Sequence, residues 1–117
     1  MRTVVIADDS FIMRKIIRGA LDHLGYRVIG EADSGEAAVE MYKKLKPDIV
    51  TLDVVMGDMS GIEAMKHIIR FEAAASVVVI SSMSQEPLVH DAIMAGAKGF
   101  LVKPFDIHQV KRTFGKI

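Results

Sequence analysis

"DIVTLDVVMGDMSG", residues 48–61, decides how the rest of the chain is read. Its first half is apolar enough to be a strand covered on both faces, as the strands of a parallel sheet are. Yet the run ends on Asp53 and then turns through Gly57, Asp58 and Gly61. A buried strand that hands a carboxylate to a loop points to a sheet whose strand ends carry a site.

Four other β-branched runs surround this one: "TVVIA" (3–7), "RVIGEA" (27–32), "SVVVIS" (76–81) and "GFLV" (99–102), with "DIVTL" (48–52) as the third of five. The stretches between them are amphipathic. After the first run, Ser10 can cap a helix with Ile12, Met13, Ile16, Ile17, Ala20, Leu21 and Leu24 as its apolar set and Gly25 as its stop. "DSGEAAVEMYKKLKP" offers Asp33 or Ser34 as cap, Ala38, Met41, Tyr42 and Leu45 to bury, and Pro47 as breaker. "SGIEAMKHIIRF" and "EPLVHDAIMAGA" share the same plan. "DIHQVKRTFGKI" has few residues to bury, Ile107, Val110 and Phe114, and is the helix expected to fray first. Strands alternating with helices predict an α/β fold: a doubly wound, five-stranded parallel sheet with five helices. With five units and no Gly-rich fingerprint, the flavodoxin-like order 2-1-3-4-5 is expected, the more polar second strand lying at an edge.

Composition narrows the function. The 117 residues predict one domain, 1–117, large enough for a real core. Fifteen basic and fifteen acidic residues cancel, so charge gives no reason to bind nucleic acid or a lipid surface directly. Without cysteine there is no disulfide, thiolate metal site or Cys nucleophile. The N-terminal apolar run is too short for a signal peptide, and nowhere do about 18 apolar residues run together, so a cytoplasmic protein without membrane insertion is expected. The eight methionines read as core filler. His23, His67, His90 and His108 fall on predicted helices, away from the strand ends.

In such sheets the ligand site lies beyond the carboxyl ends of the strands, at the switch between the first and third. Asp8 and Asp9 stand just past the first strand, Asp53 at the end of the third, "SSMS" (81–84) at the fourth and "KPF" (103–105) past the fifth. Carboxylates gathered at one point repel, by roughly 3 kcal/mol for a pair about 5 Å apart at an effective dielectric near 20. Either a proton is taken up or a divalent cation neutralises them. An all-oxygen ligand set in a half-open site suits Mg²⁺. With Lys103 and Ser81 nearby, the set matches what a transferring phosphoryl group needs, and Asp53 is the candidate nucleophile.

The motifs "IADDS", "PDIVTLDVVMGDMSG", "VVVISSMS" and "AGAKGFLVKPF" together resemble the receiver domain of two-component response regulators, over essentially the whole chain. The resemblance implies that Asp53 accepts phosphate from a phosphohistidine on a sensor histidine kinase. It implies that Asp8, Asp9, Asp53 and the Val55 carbonyl hold Mg²⁺, and that Lys103 pairs with the phosphoryl oxygens. Ser81 and Phe100 would be the switch residues, and Lys103-Pro104 a cis peptide. Lacking an effector domain after residue 117, the chain resembles the stand-alone chemotaxis regulators of the family, or else the N-terminal receiver of a longer regulator. Output would be binding of a downstream protein through the fourth helix, fifth strand and fifth helix, the region of Glu86, His90 and Phe100. The protein would be a monomer or a weak phosphorylation-dependent dimer.

Two departures stand out. Relatives usually carry Pro where this chain has Gly57, which should leave the loop after Asp53 more mobile. Val55 and Met83 are apolar where a polar side chain could orient the hydrolytic water, so slow self-dephosphorylation is expected. A reading from another class, an aspartyl-phosphate phosphohydrolase of the haloacid-dehalogenase type, fits less well. There the nucleophile comes after the first strand with a second acid two residues on, whereas Asp8 and Asp9 are adjacent.

Overall fold

The computed structural model describes residues 2–82 and 86–117, the Glu86 side chain excepted. Among these residues, strands β1 (Thr3–Ala7), β2 (Arg27–Ala32), β3 (Ile49–Asp53), β4 (Val77–Ser81) and β5 (Gly99–Val102) alternate with helices α1 (Phe11–His23), α2 (Gly35–Leu45), α3 (Gly61–Phe71), α4 (Glu86–Met94) and α5 (Ile107–Gly115). The strands pair in parallel in the order β2-β1-β3-β4-β5, as predicted, with β2 at an edge.

Alternation along the strands divides the core in two. Val5, Ala7, Val50, Leu52, Val77 and Val79 face the helices α2 and α3, meeting Ala38, Tyr42, Met65 and Ile68. Val4, Ile6, Ile49, Val78, Ile80 and Leu101 face the other way, onto Ile17 and Leu21 of α1 and Val110 and Phe114 of α5. Every residue of β3 and β4 is buried, which is why their sequences are nearly continuous apolar runs.

Side-chain caps fix where the helices begin. Ser10, Ser34 and Ser60 accept the N–H of Met13, Ala37 and Glu63. Of the two candidate caps for α2, the structure uses Ser34. At α5 a capping box joins Asp106 and Gln109, and Phe114 is buried with its ring meeting Tyr26 edge-on at 5.2 Å. This box was not read from the sequence.

Three residues expected in the core are exposed: Ile12 (70%), Ile16 (50%) and Leu45 (41%). At about 100° per residue, Met13, Ile17, Ala20, Leu21 and Leu24 share one side of α1, while Ile12 and Ile16 fall on one flank of it and the exposed Phe11 on the other. His23, His90 and His108 are exposed and His67 half-buried, all on helices. No helix among the described residues is long and apolar enough to cross a membrane.

Candidate functional site

Because all strands are parallel, their carboxyl ends meet at one edge. Pairing of Ala7 with Leu52 sets Asp8, the next residue, beside Asp53. Pairing of Ser81 with Val102 brings Lys103 to the same edge from β5. One carboxylate oxygen each from Asp8, Asp9 and Asp53 lies within 4.8 Å of the others. Asp8 and Asp53 are buried and Asp9 is exposed, so the cluster is closed below and open to water on one side.

Lys103 Nζ lies 3.0 Å from Asp8 Oδ2 and 3.3 Å from Asp53 Oδ1. The other Asp8 oxygen, Oδ1, accepts the Ser10 N–H at 2.9 Å, so both oxygens of Asp8 are engaged. Asp53 meets Lys103 through a single oxygen. The Lys103 backbone N–H donates to the Ser81 carbonyl at 2.8 Å, and the Lys103-Pro104 peptide is cis. Ser81 itself is buried at the end of β4.

Burial, and then the charge of Asp8, push the Asp53 carboxyl above the ordinary carboxylate range; Lys103 pulls it back and Asp9 adds to the rise. One ammonium therefore does not compensate the cluster. Three hard oxygen donors, one of them facing water, fit a divalent cation such as Mg²⁺.

Each carboxylate is delivered by a loop with its own supports. In the β1–α1 loop, the Arg14 guanidinium donates to the Asp8 carbonyl at 2.7 Å and to Glu31 on the edge strand at 3.1 Å; Arg18 also pairs with Glu31. Neither Arg14 nor Glu31 was singled out from the sequence. Two arginines four apart on one face of α1, beside an edge strand carrying an acid, were the available signal.

The loop after Asp53 is shaped by its glycines. A Cβ on Gly61 would stand 2.2 Å from the Asp53 carbonyl oxygen, and the Gly61 N–H donates to the Val54 carbonyl at 2.8 Å. Gly61, read as a turn residue, is thus required by the close approach of α3 to the Asp53 backbone. Gly57 sits at φ +80°, and the Asp58 N–H donates to the Met56 carbonyl at 2.9 Å, closing a three-residue turn. Proline cannot adopt this φ. The freedom expected of Gly57 is used here to aim Asp58 at α2: its Oδ1 accepts the Gly35 N–H and its Oδ2 the Glu36 N–H, each at 2.9 Å. Those two amides hold the Asp58 carboxyl below the ordinary range.

The Val55 side chain is 69% exposed on this loop. Phe100, opposite Val79 in β5, is half-buried against the α2/α3 side of the core. Met83, expected along the path of the hydrolytic water, and Ser84 of "SSMS" lie outside the described residues, as does the Glu86 side chain; His90 is exposed on α4.

The model of the response regulator receiver domain matches residues 4–114. The chain is 45% identical to chemotaxis protein CheY of Thermotoga maritima over 116 residues, covering 99% of this chain and 97% of that protein. It is 43% identical to chemotaxis protein CheY of Bacillus subtilis over 113 residues, covering 97% and 94%. A chain of the CheX-CheY-BeF3-Mg+2 complex from Borrelia burgdorferi superimposes with a TM-score of 0.94 at 38% identity, covering 97% of this chain and 86% of that one.

Proposed function

The chain belongs to the response regulator receiver domain family, and from that premise we propose that it is a phosphorylation-switched signalling protein with no external substrate. Asp53 accepts a phosphoryl group from a phosphohistidine of a sensor histidine kinase. The observation that carries this reading is the Lys103 ammonium set between Asp8 and Asp53, beside an exposed Asp9, at the carboxyl edge of the sheet.

The chemistry comes from those positions. An oxygen of Asp53 attacks phosphorus in line, the bond from phosphorus to the donor's imidazole nitrogen breaks, and the electron pair leaves with the imidazole. Asp53 is the acceptor because Asp8 has both oxygens engaged, by Ser10 and by Lys103. The carboxylates of Asp8, Asp9 and Asp53 and the Val55 carbonyl would hold Mg²⁺, which when bound neutralises charge on the phosphoryl oxygens. Lys103 stays as a fixed cation for those oxygens, and the Ser81 hydroxyl donates to one of them. Ser81 and Phe100 then report phosphorylation to the face formed by α4, β5 and α5, where a downstream protein docks. Identity to two chemotaxis proteins along nearly the full chain supports a cytoplasmic role in chemotaxis.

Intact mass after incubation with acetyl phosphate tests the reading. A phosphate-sized gain is expected for wild type with Mg²⁺, and none for wild type in chelator or for Asp53→Asn. A gain that survives Asp53→Asn would contradict it. Because the exposed Val55 side chain cannot orient water, the acyl phosphate should be long-lived and Val55→Asn should shorten its lifetime. An unchanged lifetime would count against that role.

A further inference from the structure

We propose that Asp58 is a positioning residue for the metal site: by taking the first two amides of α2 it fixes the segment after Asp53, and with it the Val55 carbonyl. The inference rests on the functional reading above, which gives that carbonyl to Mg²⁺.

The amides at the start of α2 show how the segment is held. A helix leaves its first N–H groups without partners inside the helix. Here the Ala37 N–H goes to the Ser34 hydroxyl and the Ala38 N–H to the Ser34 carbonyl, both local. The Gly35 and Glu36 N–H groups go to Asp58, 23 and 22 positions away. Asp58 thus supplies a large part of the N-terminal cap of a helix it does not belong to, and its negative charge suits that end of the helix dipole.

The fit between the two segments is close. A Cβ on Gly35 would stand 2.3 Å from Met59 Cγ and 3.4 Å from Asp58 Oδ1. Met56, between Val55 and the turn at Gly57, is buried. On the other side of Val55, the Val54 N–H donates to the Ile80 carbonyl at 3.0 Å and the Val54 carbonyl accepts from Gly61. Val55 therefore spans two anchored points while its own side chain remains exposed. One anchor is β4 and the start of α3; the other is the buried Met56 followed by Asp58 on α2. Releasing Asp58 leaves Met56 as the support on that side and loosens the orientation of the Val55 peptide.

Both oxygens of the carboxylate are used, so Asp58→Asn keeps one acceptor and presents an NH₂ to the other amide. Ser34→Ala is the control: it removes a cap from the same helix without touching the loop. Each variant is ¹⁵N-labelled, titrated with Mg²⁺ by amide shifts, and melted in the absence of metal. Asp58→Ala should weaken Mg²⁺ binding about tenfold, as loss of an outer support to a metal site does. Asp58→Asn should fall between Asp58→Ala and wild type, and serves alone if Asp58→Ala does not fold. Ser34→Ala should lower Tm yet bind Mg²⁺ as wild type does. Wild-type affinity in the Asp58 variants, or equal weakening in Ser34→Ala, would overturn the positioning role. Absence of Mg²⁺ binding by wild type would instead overturn the functional reading, and this inference with it.

Discussion

The β1–α1 loop and the β3–α3 loop carry carboxylates to the same edge of the sheet, and past the strand ends they are held by different balances of near and distant ties. In the first, Asp8 itself has distant partners, the Ala32 carbonyl and Lys103, but the turn beyond it is tied near in sequence: Ser10 donates to Asp8, Ser10 caps α1, and Arg14 reaches back six positions to the Asp8 carbonyl. In the second, two near ties, Asp58 N–H to Met56 and Gly61 N–H to Val54, are joined by distant ones. Asp58 binds the start of α2, Val54 binds β4, and α3 begins against the Asp53 backbone at Gly61. The turn from Asp8 into α1 can form largely with its helix, whereas the segment from Val54 to Asp58 also depends on α2, β4 and α3 being in place. The Val55 carbonyl, proposed as a ligand of Mg²⁺, belongs to that second segment.

Substitutions can break or sharpen this contrast. Gly61→Ala should have the largest effect, because its Cβ meets backbone, which cannot rotate away. Roughly 3 kcal/mol is expected, on the order of 10 °C in Tm, with Mg²⁺ binding weakened as well. Gly57→Ala should cost about 1 kcal/mol from the left-handed φ alone, since open space surrounds the site of the new methyl. Arg14→Ala should cost a similar amount, about 1 kcal/mol for the lost hydrogen bonds, while weakening Mg²⁺ less than Asp58→Ala. Asp8 keeps Ser10 and Lys103 without Arg14. If Arg14→Ala weakened Mg²⁺ more than Asp58→Ala, the loops would not differ as described.

The smallest effect concerns the charge both loops share. The Asp53 carboxyl is raised by burial and by Asp8, so its ionised form opposes folding at every pH above the raised value. Asp53→Asn should therefore raise Tm by a few degrees at neutral pH without divalent cations. That gain should shrink as pH falls through the raised value. It should vanish below about 3.9, the ordinary carboxylate value, where Asp53 is protonated folded and unfolded alike. Thermal melts from pH 3 to pH 8 would show a gain growing toward low pH if the sign were wrong.

Legibility in the sequence divides along the same line between near and distant ties. The strands were legible within a residue of their ends because a strand covered on both faces must be apolar throughout, and Val77–Ser81 is nearly so. Ser10 was legible as a cap because it stands three residues before the amide it takes. Asp8, Asp9, Asp53 and Lys103 were legible as a group because parallel strands share one carboxyl edge. Asp58 was not, since a loop acid pairing with amides more than twenty positions away leaves no periodic trace. Ile12 and Ile16 were misplaced for a related reason. The apolar stripe of α1 is wider than the seam that meets the sheet, and periodicity does not say which side wins.

Locating the phosphoryl group is the most direct test. Borohydride reduces an aspartyl phosphate to homoserine, so peptide mapping after acetyl phosphate, Mg²⁺ and borohydride identifies the acceptor. Homoserine is expected at position 53, with none when the metal is chelated. Homoserine at position 8 or 9, or an equal yield at 53 without Mg²⁺, would contradict a metal-dependent acceptor built from these two loops.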